Sequence, residues 1–227
     1  MRHVDGDPIR VLVVEDHDLV ASTLALALGR DGIDVHIAMG PSGHDVVELA
    51  RSLAPVLVLL DLNLGDPLGS GLDLIAPLRS VGARVVMMTG VTDPVRLAAC
   101  VEAGAMGIIS KASRFDELVE TVRRAARGAT LLSSTRRHEL LAALRAHRAL
   151  EQKRLAPFAS LSPRERAVLA RLVQGDSAET IAAQSYVSLA TVRSQIRSIL
   201  AKLGVTSQLA AVAMARQAGW PPPGSSP

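Results

Sequence analysis

Three carboxylates stand where they could act together. Glu15 and Asp16 follow the apolar run Ile9–Val14, and Asp61 follows the run Val56–Leu60. Thr89 follows a further run, Arg84–Met88, and Lys111 lies just beyond Met106–Ile109. If these runs are neighbouring parallel strands, the three carboxylates converge and repel, and a hard divalent cation with oxygen ligands, Mg²⁺, relieves that repulsion. A hydroxyl and an ammonium reach the same rim. The set suits one reaction: a carboxylate attacks a phosphoryl group while Mg²⁺, Thr89 and Lys111 hold its oxygens.

That convergence requires a particular scaffold. The runs Ile9–Val14, Ile33–Ala38, Val56–Leu60, Arg84–Met88 and Met106–Ile109 are short, rich in β-branched residues and almost continuously apolar. Strands buried on both faces read this way. Helix-period segments alternate with them: Leu19–Leu28, His44–Ser52, Leu72–Ser80, Val95–Ala103 and Phe115–Arg127. Five βα units predict an α/β doubly wound, five-stranded parallel sheet with its functional groups at the carboxyl ends of the strands.

The chain has 227 residues, 48% hydrophobic and 21% charged, which suits two compact units and excludes a disordered chain. Net charge is −5 over residues 1–128, +3 over 129–150 and +5 over 151–227. An acidic first unit with a basic remainder suggests that the second unit meets a polyanion. A single cysteine, Cys100, an acidic N-terminus and no apolar stretch of membrane-spanning length lead us to expect a cytoplasmic protein with no membrane partner. The six histidines show no metal-ligand spacing, and Gly65, Gly69 and Gly71 read as loop flexibility.

The domains expected are 1–128 for the α/β unit, 129–158 for a partly helical linker (Arg136 to Arg154), 159–218 for a small all-α unit, and 219–227 for a disordered tail beginning near Trp220. In the all-α unit, Ser162-Pro163-Arg164-Glu165 is a capping box with proline at the first helical position. A second capping box is expected at Asp176–Glu179, a turn at Ser185–Val187 with Tyr186 packing into it, and a third helix from Ser188 to about Leu203. Thr206 or Ser207 opens the fourth helix. Val192, Ile196, Ile199, Leu200 and Leu203 form one apolar face of the third helix, with Arg193, Ser194 and Arg197 on another. A helix that docks by one face and presents arginines on the other can enter a major groove.

Val14-Glu15-Asp16, Leu60-Asp61-Leu62-Asn63, Met88-Thr89-Gly90 and Ser110-Lys111 match, in order and separation, the signatures of the receiver domain of two-component response regulators, a flavodoxin-like fold. The segment from Leu161-Ser-Pro-Arg-Glu through Thr191-Val192-Arg193 to Lys202-Leu203-Gly204 resembles the LuxR-type helix-turn-helix domain. Together they resemble a response regulator of the NarL/FixJ type. The resemblance implies that Asp61 is phosphorylated by a sensor histidine kinase, and that Glu15, Asp16, Asp61 and the Asn63 carbonyl arrange Mg²⁺. It implies that Thr89 and Lys111 sense the phosphate, and that Thr191, Arg193, Ser194, Arg197 and Lys202 face DNA. The implied partners are double-stranded DNA, the kinase, a second copy of the chain when active and, as a further candidate, RNA polymerase.

The departures are Ile108 and Ala112, where receivers carry an aromatic residue and a proline, a longer loop after Asp61, Ser185 in place of a core leucine, Gln195 in place of a frequent histidine, and Gln208 in place of arginine. The reading is a DNA-binding transcriptional regulator controlled by phosphorylation at Asp61, acting through the surface around Val95–Arg127, and not an enzyme. An atypical regulator that binds DNA independently of phosphorylation, its pocket vestigial or ligand-gated, is the alternative. A phosphohydrolase of the haloacid-dehalogenase type needs a second aspartate where Asn63 stands.

Overall fold

The structure is a computed structural model that describes residues 9–38, 40 and 42–221. It divides into two compact units, the first ending at Arg145 and the second beginning at Ala146.

In the first unit the apolar runs become β1 (Ile9–Val14), β2 (Ile33–Ile37), β3 (Leu57–Asp61), β6 (Arg84–Thr89) and β7 (Gly107–Ser110). They form one parallel sheet in the order β2-β1-β3-β6-β7. Alternate residues of each strand point to opposite faces. Val11, Val13, Leu57, Leu59, Val86 and Met88 pack beneath α1 (Asp18–Gly29) and α5 (Phe115–Ala126). Leu12, Val14, Val58, Leu60, Val85 and Met87 pack beneath α2 (Gly43–Leu53), α3 (Leu72–Ser80) and α4 (Pro94–Ala103). Both faces are covered, which is why the central strands carry no polar alternation, whereas the edge strand β2 alternates through Asp34 and His36.

Two departures from the sequence reading affect the site. The loop after Asp61 folds into an antiparallel hairpin of β4 (Asn63–Gly65) and β5 (Gly69–Ser70). Its glycines serve specific geometry instead of flexibility: Gly65 and Gly69 sit at φ +61° and +71°. A β-carbon on Gly71 would lie 1.9 Å from the Asp61 carbonyl oxygen. The second departure lies beyond α5. A continuous helix, α6 (Ser134–Leu155), exceeds the expected Arg136 to Arg154 at both ends. Its Leu140 and Leu144 are buried against Ala98 and Val101 of α4. Each such leucine contributes about 1.5–3 kcal/mol of burial.

The second unit is helical: α7 (Pro163–Gln174), α8 (Ala178–Gln184), α9 (Leu189–Leu203) and α10 (Gln208–Ala218), preceded by a 3-10 turn at Ala156–Ser160. Serines cap all four α-helices: Ser162, Ser177, Ser188 and Ser207 each accept a main-chain N–H. Only Ser162 completes a capping box, because Thr180 and not a glutamate stands three residues after Ser177. Val192, Ile196, Ile199 and Leu203 are buried as the periodicity requires, and Leu200 packs at their margin.

Three expectations are corrected here. Trp220 does pack: it is 8% exposed and stacks on Phe158 with centroids 5.3 Å apart, because the turn after Gly219 folds the chain back onto the core. The remainder of the expected tail, 222–227, lies outside the described residues. Tyr186 does not pack: at φ +53° the turn directs it outward, 95% exposed. Ser185 is exposed as well, so its hydroxyl costs the core nothing.

Candidate functional site

The register of the sheet builds the acidic pocket. β1 and β3 are adjacent and parallel, with Val14 opposite Leu60, so Glu15 and Asp61 emerge side by side at the carboxyl edge. β6 and β7 continue that edge, pairing Thr89 with Ser110, and the Lys111 N–H donates to the Thr89 carbonyl at 2.9 Å.

Lys111 holds the centre. Its ammonium lies 2.8 Å from Asp61 Oδ2 and 2.6 Å from Glu15 Oε2, and donates to Glu15 Oε1 at 2.9 Å. Burial opposes its charge, but the hydrogen bonds to Asp61 and Glu15 together outweigh burial and raise its pKa. The Leu62 N–H donates to Asp61 Oδ1 at 2.7 Å, fixing the carboxylate. Although Glu15 Oε2 is close to the ammonium, that approach is not a directed hydrogen bond, and the oxygen is buried without one. Thr89 is buried, and its hydroxyl oxygen accepts the Val91 N–H at 3.0 Å, which leaves the hydroxyl proton available.

Glu15, Asp16, His17 and Asp61 each offer one ligand atom within 4.8 Å of the others. An orphaned buried oxygen within a group of carboxylates fits a hard cation. His17 is a member that the sequence reading missed. Its Nδ1 lies 2.9 Å from Glu15 Oε1 and 2.6 Å from Asp16 Oδ1, and these contacts raise its pKa, Glu15 contributing most. Its adjacency to Asp16 was the available signal. Asn63 is exposed on the hairpin, and its side-chain oxygen accepts from Arg96 of α4 at 2.8 Å. Arg96 had no sequence signal, because the contact exists only once the hairpin and α4 are placed.

The second unit presents the other predicted set. Thr191, Arg193, Ser194 and Arg197 are exposed on α9. Ser188 and Thr191 join hydroxyls at 2.8 Å at the start of the helix. Arg193 pairs with Glu179 of α8 at 3.1 Å. Both arginines line an open cleft of about 630 Å³ with Ser177, Glu179, Ile196 and Gln208. Lys202 is exposed as well, and its ammonium pairs with the buried Glu165 at 2.7 Å.

A strand-edge pocket of this composition on a doubly wound sheet, joined to a helix-turn-helix unit, defines a phosphoryl-responsive regulatory protein. Residues 11–123 match the response regulator receiver domain, and residues 159–215 match the luxR family of bacterial regulatory proteins. The chain is 33% identical over 209 residues to the nitrate/nitrite response regulator protein NarP of Escherichia coli, covering 91% of this chain and 94% of the relative. It is 32% identical over 210 residues to a nitrate/nitrite response regulator protein homolog of Haemophilus influenzae, covering 92% and 96%. A solved two-component response regulator of the LuxR family from Aurantimonas matches at TM-score 0.50 and 25% identity, covering 62% of this chain and 99% of that one.

The chain belongs to the two-component response regulators of the NarL type, with a receiver domain and a LuxR-type helix-turn-helix domain. It is a DNA-binding transcription regulator controlled by phosphorylation. Among the described residues no single helix is long and apolar enough to cross a membrane.

Proposed function

We propose that Asp61 is the phosphoacceptor and that a sensor histidine kinase is the donor. The observation that carries this is the placement of Asp61, buried at a strand end, with one carboxylate oxygen fixed by the Leu62 N–H and the other 2.8 Å from Lys111. An Asp61 oxygen attacks phosphorus, a phosphorus–oxygen bond forms, and the phosphorus–nitrogen bond to the donor imidazole breaks. The leaving nitrogen takes up a proton. Lys111 and the Thr89 hydroxyl receive the phosphoryl oxygens. Glu15, Asp16, Asp61 and the Asn63 carbonyl would hold Mg²⁺, which supplies neutralisation of charge between acceptor and donor anions. An apolar hollow of about 310 Å³ opens beside Lys111, lined by Leu19, Val20, Leu24 and Phe115. Leu19 is 81% exposed there, which offers a protein donor a surface on which to seat.

The output follows from the second unit. Arg193, Ser194, Arg197 and Thr191 face a DNA groove, and paired half-sites accommodate a dimer of the active form. RNA polymerase is the further partner of a bound regulator. This reading assigns the chain no catalytic turnover of its own, and it takes 1–128 as the receiver domain and 159–218 as the helix-turn-helix domain, with Leu140 and Leu144 of the intervening helix packed on the first unit and Trp220 on the second. The complete set of charged groups in the pocket disfavours the vestigial alternative.

Treatment of the full chain with acetyl phosphate and Mg²⁺, followed by intact mass, tests the acceptor. The expected result is one added phosphoryl group, absent from Asp61→Ala. No adduct under any condition would overturn it.

A further inference from the structure

α4 is a short helix that packs on the sheet through Cys100 and has two further engaged sides. On one side Arg96, in its first turn, donates to Asn63 Oδ1 at 2.8 Å, two residues from Asp61. On the other, Ala98 and Val101 are fully buried beneath Leu140 and Leu144 of α6, with Val95, Leu97, Ile108 and Leu141 at the margin. At about 100° per residue, Ala98 and Val101 lie roughly opposite Arg96 around the helix. A helix of this length moves as a rigid piece, so a pull on Arg96 reaches the α6 contact.

The two contacts differ in strength. Asn63 offers Arg96 a neutral acceptor in an exposed position. A phosphoryl dianion beside Asp61 is a better partner for a guanidinium, because it adds attraction between full opposite charges and accepts two N–H bonds side by side, where an amide oxygen offers only a dipole. The docked part of α6 is held by a narrow leucine stripe, and Arg136, Arg137, Glu139 and Arg145 lie off it. The two clusters that flank the sheet do not include Leu140 or Leu144. The segment can therefore leave without opening the core of the unit.

We propose that Ser134–Arg145 of α6 is a releasable cover on the α4–β7 face, docked while Asp61 is free and freed on phosphorylation, with Arg96 as the positioning residue that passes the change from the acceptor loop to α4. This rests on the reading of Asp61 as phosphoacceptor and names the regulation of that site.

Hydrogen exchange of peptides within residues 134–145 of the full chain tests it, with and without acetyl phosphate and Mg²⁺, at phosphorylation levels matched by intact mass. The expected result is faster exchange in the phosphorylated protein, within the about 5- to 150-fold span of ordinary allosteric coupling. In Leu140→Ala/Leu144→Ala, exchange is fast in both states while the adduct still forms. Arg96→Ala loses the response at matched phosphorylation, and Arg96→Lys, which keeps the charge, retains it. An adduct with unchanged exchange overturns the cover. A full response in Arg96→Ala, or none in Arg96→Lys, overturns the role of the Arg96 charge. No adduct at all overturns the acceptor reading itself, and the cover with it.

Discussion

Lys202 and Glu165 form an ion pair of 2.7 Å that ties the end of α9 to the first turn of α7. Glu165 also accepts from Ser198 Oγ at 2.6 Å and from the Ser162 N–H at 2.6 Å, so its buried carboxylate is fully satisfied. The lysine that the family resemblance assigns to DNA phosphate therefore also has an internal role, in holding the angle of α9. Lys202→Met is expected to lower the stability of the helical unit by about 1.5–3 kcal/mol, the range for hydrogen bonds to charged groups. An unchanged denaturation midpoint would contradict this.

The same network predicts a pH dependence. Lys202 first, then Ser198 and the Ser162 main chain, lower the Glu165 carboxyl from 4.5 to about 2. A carboxylate with a depressed folded pKa contributes stability that is complete above its unfolded value and is lost as pH falls through the folded one. The helical unit should lose up to about 3 kcal/mol over that acid window, less the part that water screens at Lys202, whose side chain is 37% exposed. Urea denaturation at a series of pH values checks it, and Glu165→Gln should be shallower across the window, leaving the part due to Glu179, whose carboxyl is also lowered by its helix start, Ser177 and Arg193.

Gly71 is expected to be irreplaceable for a reason unrelated to its backbone freedom. A β-carbon there would lie 1.9 Å from the Asp61 carbonyl oxygen, and backbone cannot rotate aside as a side chain can. Gly71→Ala should cost at least the about 1–3 kcal/mol of ordinary overpacking and abolish phosphoryl uptake. Gly29→Ala, where nothing lies within 4 Å, is the control and should be neutral or stabilising. Calorimetry and intact mass read the two effects separately.

Divalent cations should stabilise the first unit. Glu15 Oε2 is buried without a directed hydrogen bond among carboxylates, and a cation that binds only the folded form raises stability by mass action. At a hundredfold excess over the dissociation constant the gain is about 2.7 kcal/mol, and each kcal/mol is worth roughly 2–4 °C for a unit of this size. Chelation should reverse the rise in melting temperature, and Asp16→Asn should lose most of it. A melting temperature indifferent to Mg²⁺ would remove the cation from the proposed mechanism.

The sheet and the pairing of Glu15, Asp61 and Lys111 were legible because strands buried on both faces leave continuous apolar runs, and groups that follow such runs emerge at one edge. The caps of the helical unit were legible because a serine cap is a local signal. What was not legible depends on contacts distant in sequence. The hairpin after Asp61 read as a loop because its short strands carry no period. Residues 129–158 read as a linker because two buried leucines in α6 form too short a stripe to declare a partner. Trp220 precedes three prolines, and composition there concealed the stack on Phe158. His17 was missed because adjacency to Asp16 was its only signal, and Arg96 because its contact with Asn63 exists only once the hairpin and α4 are placed.

Trp220 turns this omission into a measurement, because the chain has one tryptophan. Its fluorescence should report unfolding of the helical unit alone, whereas circular dichroism reports both units. Trp220→Ala should cost the about 3–5 kcal/mol of a large aromatic truncation, and Trp220→Phe much less, because the stack on Phe158 survives. Equal destabilisation by both variants would show that the stack contributes little.

On DNA, the ion pair between Arg193 and Glu179 should be exchanged for contacts with the nucleic acid. Arg193 is 62% exposed and its partner 60%, so water screens the pair and it is easily broken. Arg197, one turn on, lies on the same cleft. If Arg197 meets a phosphate, Arg197→Ala should weaken all sequences similarly and reduce the salt slope of binding by about 1. If Arg193 reads a base edge, Arg193→Ala should relax preference at one position, at a cost of about 1–3 kcal/mol. Glu179→Gln, which frees Arg193, should tighten binding to non-specific duplex. Selection from random DNA with the full chain, followed by titrations at several salt concentrations, separates these outcomes. If both arginine variants enriched the same sites with the parent's salt slope, α9 would not be the helix that enters the groove.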